Sequence, residues 1–273
     1  MTSFKINQQN IHNLIEISKE AGEVILEIYK TNFDIQIKKD SSPLTQADLA
    51  SHQIITSGLK KLTPNIPILS EESCNISQRE RAKWKEYWLI DPLDGTKEFI
   101  KKNGEFTTNI AYIKKNKPMF GMIFAPVLNE LYWGSEENGS YILKGESQRK
   151  PEKIQVSNKK KGNLSIVSSR SHQSSELKAF LKKLNKCKFI HIGSSLKFCL
   201  VAKGDAEIYP RLGPTSEWDT AAGDAIIRGA NGIIRDTLGG ELKYNMREKF
   251  INPSFIVANN LETFQKVNSN KSL

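Results

Sequence analysis

Apolar residues in the N-terminal part of the chain recur every three or four positions, the spacing of one face of a helix. Over residues 11–28 this spacing, with polar residues in between, predicts an amphipathic helix. A second helix is predicted from its N-cap Thr45 to Lys61. Pro64 ends it, because proline cannot supply the N–H that the helix needs.

The middle of the chain carries short apolar runs bounded by turn residues, which are typical of adjacent strands. One strand is predicted over residues 84–90, ending at Asp91-Pro92. A β-meander is predicted to follow over 107–113, 119–125 and 130–134. Helices followed by neighbouring strands indicate an α+β lobe, which we place at residues 1–157.

The pattern changes after the basic stretch at residues 158–163, where strands begin to alternate with helices. Strands are predicted over 164–168, 189–192 and 207–209, and helices over 175–184, 195–203 and 217–228. This alternation indicates an α/β lobe over residues 158–266, followed by a frayed tail over 267–273. We expect the two lobes to share an interface, a favoured place for a ligand cleft.

Composition permits many functions and excludes a few. Hydrophobic residues make up 38% and charged residues 26% of the 273 residues, as in ordinary globular proteins. No apolar run approaches the roughly 20 residues that span a bilayer, and no secretory signal is recognisable, so we expect a cytoplasmic protein. The cysteines Cys74, Cys187 and Cys199 show neither a disulfide framework nor zinc-ligand spacing.

The net charge of +10 comes from scattered lysine clusters. These are not interleaved with the aromatic residues on which single-stranded nucleic acid would stack, so nucleic-acid binding is not favoured as the main function. Weak attachment to the anionic inner face of a membrane, or attraction of small anions, stays open. The oligomeric state is not determined by these features.

Candidate chemistry lies in residues 91–96, the run Asp-Pro-Leu-Asp-Gly-Thr at the end of a predicted strand. Asp91 and Asp94 can converge there with the backbone carbonyl of Leu93, and Mg²⁺ prefers such oxygen ligands. Gly95 and Thr96 then open a short helix whose free N–H groups can hold a phosphate. The same residue types also form ordinary turns, so the run alone is ambiguous.

Three further carboxylates carry competing interpretations. Glu71 follows a predicted strand and would add a metal ligand or orient a water, or would simply be exposed in a loop. Asp48 and Asp219 both have capping-box spacing, three residues after Thr45 and Ser216. Local sequence alone would not single out either aspartate.

The combination of these segments is more specific than its parts. In order, residues 43–48, 70–72, 91–96 and 218–223 resemble motifs of the inositol monophosphatase superfamily of lithium-sensitive, magnesium-dependent phosphatases. Residues 87–91, 97–100, 103–107, 193–199 and 209–211 are similar to the bacterial 3′(2′),5′-bisphosphate nucleotidases of the CysQ type. The resemblance implies a layered sandwich of the αβαβα type, combining α+β and α/β lobes.

The resemblance also implies roles for individual residues. One Mg²⁺ would be held by Glu71, Asp91 and the Leu93 carbonyl, and a second by Asp91, Asp94 and Asp219. Asp48 and Thr96 would orient or deprotonate the attacking water, with Glu71 assisting. The implied substrate-binding residues at the hydrolysed phosphate are Glu71, Leu93, Asp94, Gly95, Thr96 and Asp219.

The implied substrate is 3′-phosphoadenosine 5′-phosphate (PAP), hydrolysed to AMP and phosphate in sulfur metabolism. Its second phosphate needs an anion site apart from the metals, for which Ser194, Lys197 and Arg211 are candidates. His172 is a candidate contact to the nucleoside, or an ordinary loop histidine. The alternatives are an inositol-1-monophosphatase, which would share the metal ligands, and, more distantly, a basic protein that binds nucleic acid or membrane surfaces.

Overall fold

The computed structural model describes residues 4–38, 43–145, 150–159, 163–170, 174–182, 184 and 187–269. Its helices are α1 (Gln8–Tyr29), α2 (Gln46–Leu62), α3 (Gln78–Arg81), α4 (Thr96–Ile100), α5 (Ser175–Lys182), α6 (Leu196–Ala202), α7 (Glu217–Gly229) and α8 (Leu261–Asn268). Its strands are β1 (Ile35–Ile37), β2 (Pro43–Thr45), β3 (Ile68–Ser70), β4 (Glu86–Asp94), β5 (Thr107–Lys114), β6 (Lys117–Ala125), β7 (Glu130–Ser135), β8 (Gly139–Lys144), β9 (Glu152–Ile154), β10 (Ser165–Ser169), β11 (Lys188–Ile192), β12 (Ile208–Arg211), β13 (Ile233–Asp236) and β14 (Phe255–Ala258).

These elements form five layers, which confirms the predicted αβαβα sandwich. Helices α1 and α2 cover one face of a seven-stranded sheet with the order β3-β4-β5-β6-β7-β8-β9. Helices α6 and α7 lie between that sheet and a five-stranded sheet with the order β11-β10-β12-β14-β13. The outer face of the second sheet packs against α5 and α8.

The alternating side chains of β4 show how the layers are built. Tyr87 and Leu89 face the core shared with α6 and α7, whereas Trp88 and Ile90 face α1 and α2. Successive side chains of a strand point to opposite faces, so a strand between two helix layers needs a continuous apolar run. Burying both faces stabilises this end of the sheet through the hydrophobic effect.

Helix α7 lies in the middle layer and packs against strands β4–β8. Its approach depends on small residues: a side-chain carbon at Gly121 in β6 would lie only 2.1 Å from the Ala222 carbonyl oxygen. The small residues Ala221, Ala222 and Gly223 let the helix approach the backbone of β6. The closeness leaves no room for any side chain at Gly121.

Several boundaries differ from the sequence prediction. Strand β4 does not end at Asp91-Pro92 but continues to Asp94 through an irregularity in its pairing with β5. Strands β8 and β9 extend the predicted meander to the edge of the sheet and were not predicted. The lobe limits at residues 157 and 266 stay a prediction. None of the helices in the described part of the chain combines the length and apolar character needed to cross a membrane.

Candidate active site

The acidic residues at the end of β4 are brought together by a bulge. Asp91 and Asp94 are an odd number of positions apart and would point to opposite faces of a regular strand. Asp91 pairs with Asn109 and Asp94 with Thr107, so three steps along β4 match two steps along β5. This extra residue turns the strand, and both carboxylates line the same cavity.

Two local features make the bulge possible. Pro92 has no N–H to offer a neighbouring strand, and its carbonyl oxygen accepts a hydrogen bond of 2.7 Å from Ser51 Oγ on α2. After the bulge, Gly95 has φ +93, and a side-chain carbon there would lie 3.0 Å from the Glu105 carbonyl oxygen. Only glycine fits this left-handed conformation without strain.

The cavity has a volume of about 410 Å³ and contains most of the predicted site. The predicted residues that line it are Glu71, Asp91, Leu93, Asp94, Gly95, Thr96, Ser194, Lys197, Arg211 and Asp219. Asp48 lies just behind the lining, and His172 lies outside the described residues. The structure therefore brings together residues separated by more than a hundred positions in sequence.

The carboxylates in the cavity affect one another's ionisation. Burial raises the pKa of Asp91 well above its ordinary value, and the charges of Glu71, Asp94 and Asp219 raise it further. Burial also raises the pKa of Asp94 to about 7, with Asp219 as the next cause. Negative groups held together in this way favour a cation between them.

The donor set fits Mg²⁺. It consists of four carboxylates and the backbone carbonyl of Leu93, all of them the hard oxygen ligands that Mg²⁺ prefers. Among the described residues, however, no three acidic, histidine or cysteine side chains are already closed into a ligand cluster. A cation of the chain already lies beside two of the acidic residues: Lys38 Nζ is 2.7 Å from Glu71 Oε1 and 2.6 Å from Glu72 Oε1.

Asp48 and Thr96 form the predicted pair. Asp48 is buried, and its Oδ2 accepts hydrogen bonds from the Thr45 N–H at 2.7 Å and the Thr45 hydroxyl at 2.6 Å. Its other oxygen, Oδ1, accepts a hydrogen bond of 3.2 Å from Thr96 Oγ1. The capping box and the contact with Thr96 thus use different oxygens of one carboxylate, so the cap leaves Asp48 available for its predicted role, which stays a prediction.

Asp219 combines the same two roles. Its Oδ2 accepts hydrogen bonds from the Ser216 N–H at 2.9 Å and from Thr215 Oγ1 at 2.8 Å, which completes the cap of α7. The side chain also lines the cavity. Because the cap fixes its rotamer in the first turn of α7, Asp219 would lose little side-chain freedom on binding a metal, the role predicted for it.

Basic residues also line the cavity; we call them the basic wall and the carboxylates the acidic wall. Lys197 on α6 is only 6% exposed, and its Nζ donates to the Ser194 carbonyl oxygen. Burial lowers the pKa of Lys197 to about 8, while the nearby Asp94 acts in the opposite direction. Arg211 Nη2 donates to the Pro214 carbonyl at 2.6 Å, and its buried Nε has no partner among the described residues. With a pKa of about 8, Lys197 remains mostly charged at pH 7.

Sequence reasoning missed Lys38 and Asn109. Asn109 Nδ2 donates to Asp94 Oδ2 at 3.4 Å, and Asn109 is buried in β5 directly before an apolar stretch that begins at Ile110. A buried polar residue at that place is a usable signal, because such groups need partners. Lys38 carried no signal, since its carboxylate partners lie more than thirty residues away.

Comparison with known proteins was made for the whole chain. Residues 7–271 match the model of the inositol monophosphatase family. An Escherichia coli K12 protein named 3′(2′),5′-bisphosphate nucleotidase CysQ is 45% identical over 250 residues, which cover 91% of this chain and 99% of the relative. A Haemophilus influenzae protein of the same name is 36% identical over 253 residues, covering 92% and 93%.

Solved structures give the same picture. The crystal structure of CysQ from Bacteroides thetaiotaomicron, described as a bacterial member of the inositol monophosphatase family, superposes with a TM-score of 0.80 at 38% identity. The match covers 93% of this chain and 99% of that one. An inositol monophosphatase from Thermotoga maritima has a TM-score of 0.80 at 22% identity, which supports the fold alone.

Proposed function

The chain belongs to the inositol monophosphatase family, and from this premise we infer that it is a 3′(2′),5′-bisphosphate nucleotidase, a phosphoric monoester hydrolase. We propose PAP as the substrate, cleaved to AMP and phosphate. The observation that carries the proposal is one cavity with an acidic wall around Asp91 and a basic wall around Lys197. A nucleotide with two separate phosphates has use for both walls.

The acidic wall would hold the metal. Glu71, Asp91 and the Leu93 carbonyl are proposed for one Mg²⁺, and Asp91, Asp94 and Asp219 for a second, with Asp91 shared. When bound, Mg²⁺ supplies Lewis-acid stabilisation of the charge that develops on the phosphoryl oxygens. The raised pKa values of Asp91 and Asp94 indicate that these carboxylates gain most from a positive partner.

The chain's own residues position the attacking water. The Thr96 hydroxyl donates a hydrogen bond to Asp48. The lone pairs of Thr96 Oγ1 therefore stay available to accept a hydrogen bond from a water in the cavity. Asp48, held by two hydrogen bonds from Thr45, fixes this orientation. The water loses its proton toward this pair as its oxygen attacks phosphorus.

The phosphate to be released lies next to Gly95. The absence of a side chain there allows the phosphate to approach the backbone closely. Attack by water forms one P–O bond and breaks the bond to the ribose oxygen, and the departing oxygen takes up a proton to give a free hydroxyl. No residue of the chain needs to become covalently phosphorylated.

The second phosphate is assigned to the basic wall. Lys197 provides a buried ammonium group, and Arg211 provides a guanidinium whose Nε still lacks a partner among the described residues. Guanidinium groups bind phosphate oxygens in pairs, which fixes orientation as well as charge. Ser194 adds a hydroxyl at the same wall.

The test is phosphate release with Mg²⁺ from PAP and from inositol 1-phosphate, measured side by side. We expect a clear preference for PAP. A preference for inositol 1-phosphate would reject the nucleotide assignment but keep the phosphatase. Lithium is expected to inhibit in either case and therefore does not discriminate between the two substrates.

Weak association with anionic membranes is a separate proposal, supported only by the net charge of +10. It predicts flotation with anionic vesicles but not with neutral ones, and release by added salt. Flotation with both kinds of vesicle, or with neither, would contradict it.

A further inference from the structure

Three polar side chains beside the site lie at alternate positions. They are Glu105, Thr107 and Asn109, which lead into β5 and occupy its first half. Alternate residues of an extended chain point to the same side. Here that side faces residues 193–195, the segment that precedes α6 in the other sheet's half of the molecule.

Each of these three residues, which we call the polar row, contacts residues 193–195. Glu105 Oε2 accepts a hydrogen bond of 2.8 Å from the Gly193 N–H. Thr107 Oγ1 lies 2.7 Å from Ser195 Oγ. Ser195 Oγ also lies 2.7 Å from Asn109 Oδ1 and donates to it. Hydrogen bonds at every second residue fix the register between the two segments.

Glu105 is itself held from a third side. Its Oε2 and Oε1 accept hydrogen bonds of 2.9 and 2.7 Å from Arg170, which also donates to the His191 carbonyl at 2.7 Å. The fit against Gly193 is close, since a side-chain carbon there would lie 2.8 Å from the Glu105 carbonyl oxygen. The carboxylate therefore has little freedom to shift.

The row touches both walls of the cavity. At the acidic wall, Asn109 Nδ2 donates to Asp94 Oδ2, and the Glu105 carbonyl lies against Gly95. At the basic wall, residues 193–195 lead directly into the turn that carries Lys197. A change in the row would therefore alter the distance between the two walls without removing any group that contacts the substrate.

We propose that Glu105, Thr107 and Asn109 set the spacing between the acidic and the basic wall and thereby select nucleotides whose two phosphates match that spacing. Glu105 is the main positioning residue, because it joins the backbone of residue 193 to Arg170. The inference rests on the proposed nucleotidase function. It adds a requirement on the distance between the two phosphates to the charge requirement that Lys197 and Arg211 supply.

The test compares kcat/KM for PAP with kcat/KM for adenosine 3′-phosphate, which lacks the second phosphate. In Glu105→Ala the preference for PAP is expected to fall about tenfold, mainly through KM, because a hydrogen bond to a charged acceptor is lost. Glu105→Gln keeps an oxygen for the Gly193 N–H and should lose less than about threefold. Arg170→Met removes the ion pair together with the hydrogen bond to the His191 carbonyl, leaves the Glu105 carboxylate for the Gly193 N–H, and should behave in the same way.

Two further variants keep the test decisive. Lys203→Met breaks a comparable surface ion pair, between Lys203 and Asp205 at 2.9 Å, away from the row, and should leave the preference unchanged. Thr107→Val preserves shape but removes the hydroxyl facing Ser195, and should lower the preference about fivefold. If Glu105→Ala does not fold, as judged by its thermal unfolding, Thr107→Val carries the test.

The outcomes separate the inference from the proposed function. A wild-type chain without a preference for PAP would overturn both. A wild-type preference that survives in Glu105→Ala and Thr107→Val would overturn only the inference. An equal fall for both substrates, accompanied by a higher Mg²⁺ requirement, would overturn it too, because it would assign the row to the metal site.

Discussion

The two walls of the cavity carry side chains of opposite charge, and burial disfavours the charged form in both. The acidic wall places Asp91, Asp94, Glu71 and Asp219 around one space, where burial raises all four pKa values. Neighbouring carboxylates raise the pKa values of Asp91, Asp94 and Glu71 further. The basic wall buries Lys197, whose pKa is lowered for the same reason, the loss of solvent. Each wall is disfavoured alone and needs a ligand of the opposite sign.

The walls also differ in how they are held. The acidic wall depends on local devices: a bulge in β4 and two capping boxes that orient Asp48 and Asp219. The basic wall is held by backbone carbonyls three residues away from Lys197 and Arg211 in sequence. In the proposed function, reaction and substrate choice reside in different walls, so a change in one wall should leave the role of the other recognisable.

The largest effect is expected at the acidic wall. Asp91→Asn and Asp94→Asn should each lower kcat for PAP about 10³-fold, because several kcal/mol of charge stabilisation depend on the metal that they are proposed to hold. Asp205→Asn, an exposed aspartate outside the cavity, is the matched control. Phosphate release at saturating substrate measures the change.

Asp91→Asn also tests whether the negative charge of the acidic wall destabilises the folded protein. The pKa of Asp91 is higher in the folded than in the unfolded protein. At a pH above the unfolded-state pKa, ionisation of Asp91 therefore favours the unfolded state. Asp91→Asn removes that charge and should leave the thermal midpoint of the metal-free protein at pH 7 unchanged or higher. A lower midpoint would attribute the lost activity to damaged folding.

The next effect concerns the water-positioning pair. Thr96→Val keeps the shape but removes the hydroxyl that Asp48 orients, and should lower kcat about 100-fold with little change in KM. Thr96→Ser retains the hydroxyl and is the control. Equal losses in both variants would show that the methyl packing, and not the hydroxyl, matters.

A smaller effect is expected at the basic wall. Lys197→Gln should raise KM for PAP about tenfold, because a charged hydrogen-bond donor to phosphate is lost. KM for adenosine 3′-phosphate should rise less, so the preference for PAP over adenosine 3′-phosphate becomes smaller. Lys203→Gln serves as the control for removing one lysine charge. A fall in kcat alone would place Lys197 at the reaction centre instead.

The smallest effect is a pH dependence. Burial lowers the pKa of Lys197 to about 8, so its charged form prevails below that pH and is lost as the pH rises through it. KM for PAP should therefore rise about twofold between pH 7 and pH 8. The rise should be absent in Lys197→Gln. Its persistence in that variant would assign the titration to another group.

Much of the candidate site could be predicted from sequence because its parts are local. The capping boxes at Thr45 and Ser216 need only four consecutive residues, and the run at residues 91–96 combines proline, glycine and two aspartates. Their roles still came from the resemblance of the whole set, since each segment alone also describes an ordinary turn or cap. The prediction for His172 lies outside the described residues and stays a prediction.

The sequence by itself determined the described helices except α3 and α8, most strands, the identity of the acidic residues and the family. Only the tertiary structure decided that β4 passes through Pro92, because the bulge depends on which residues of β5 lie opposite. It also decided that Lys38 contacts Glu71, and that Ser195 contacts Asn109 across 86 positions. Such contacts depend on sheet register and layer packing, which no local pattern specifies.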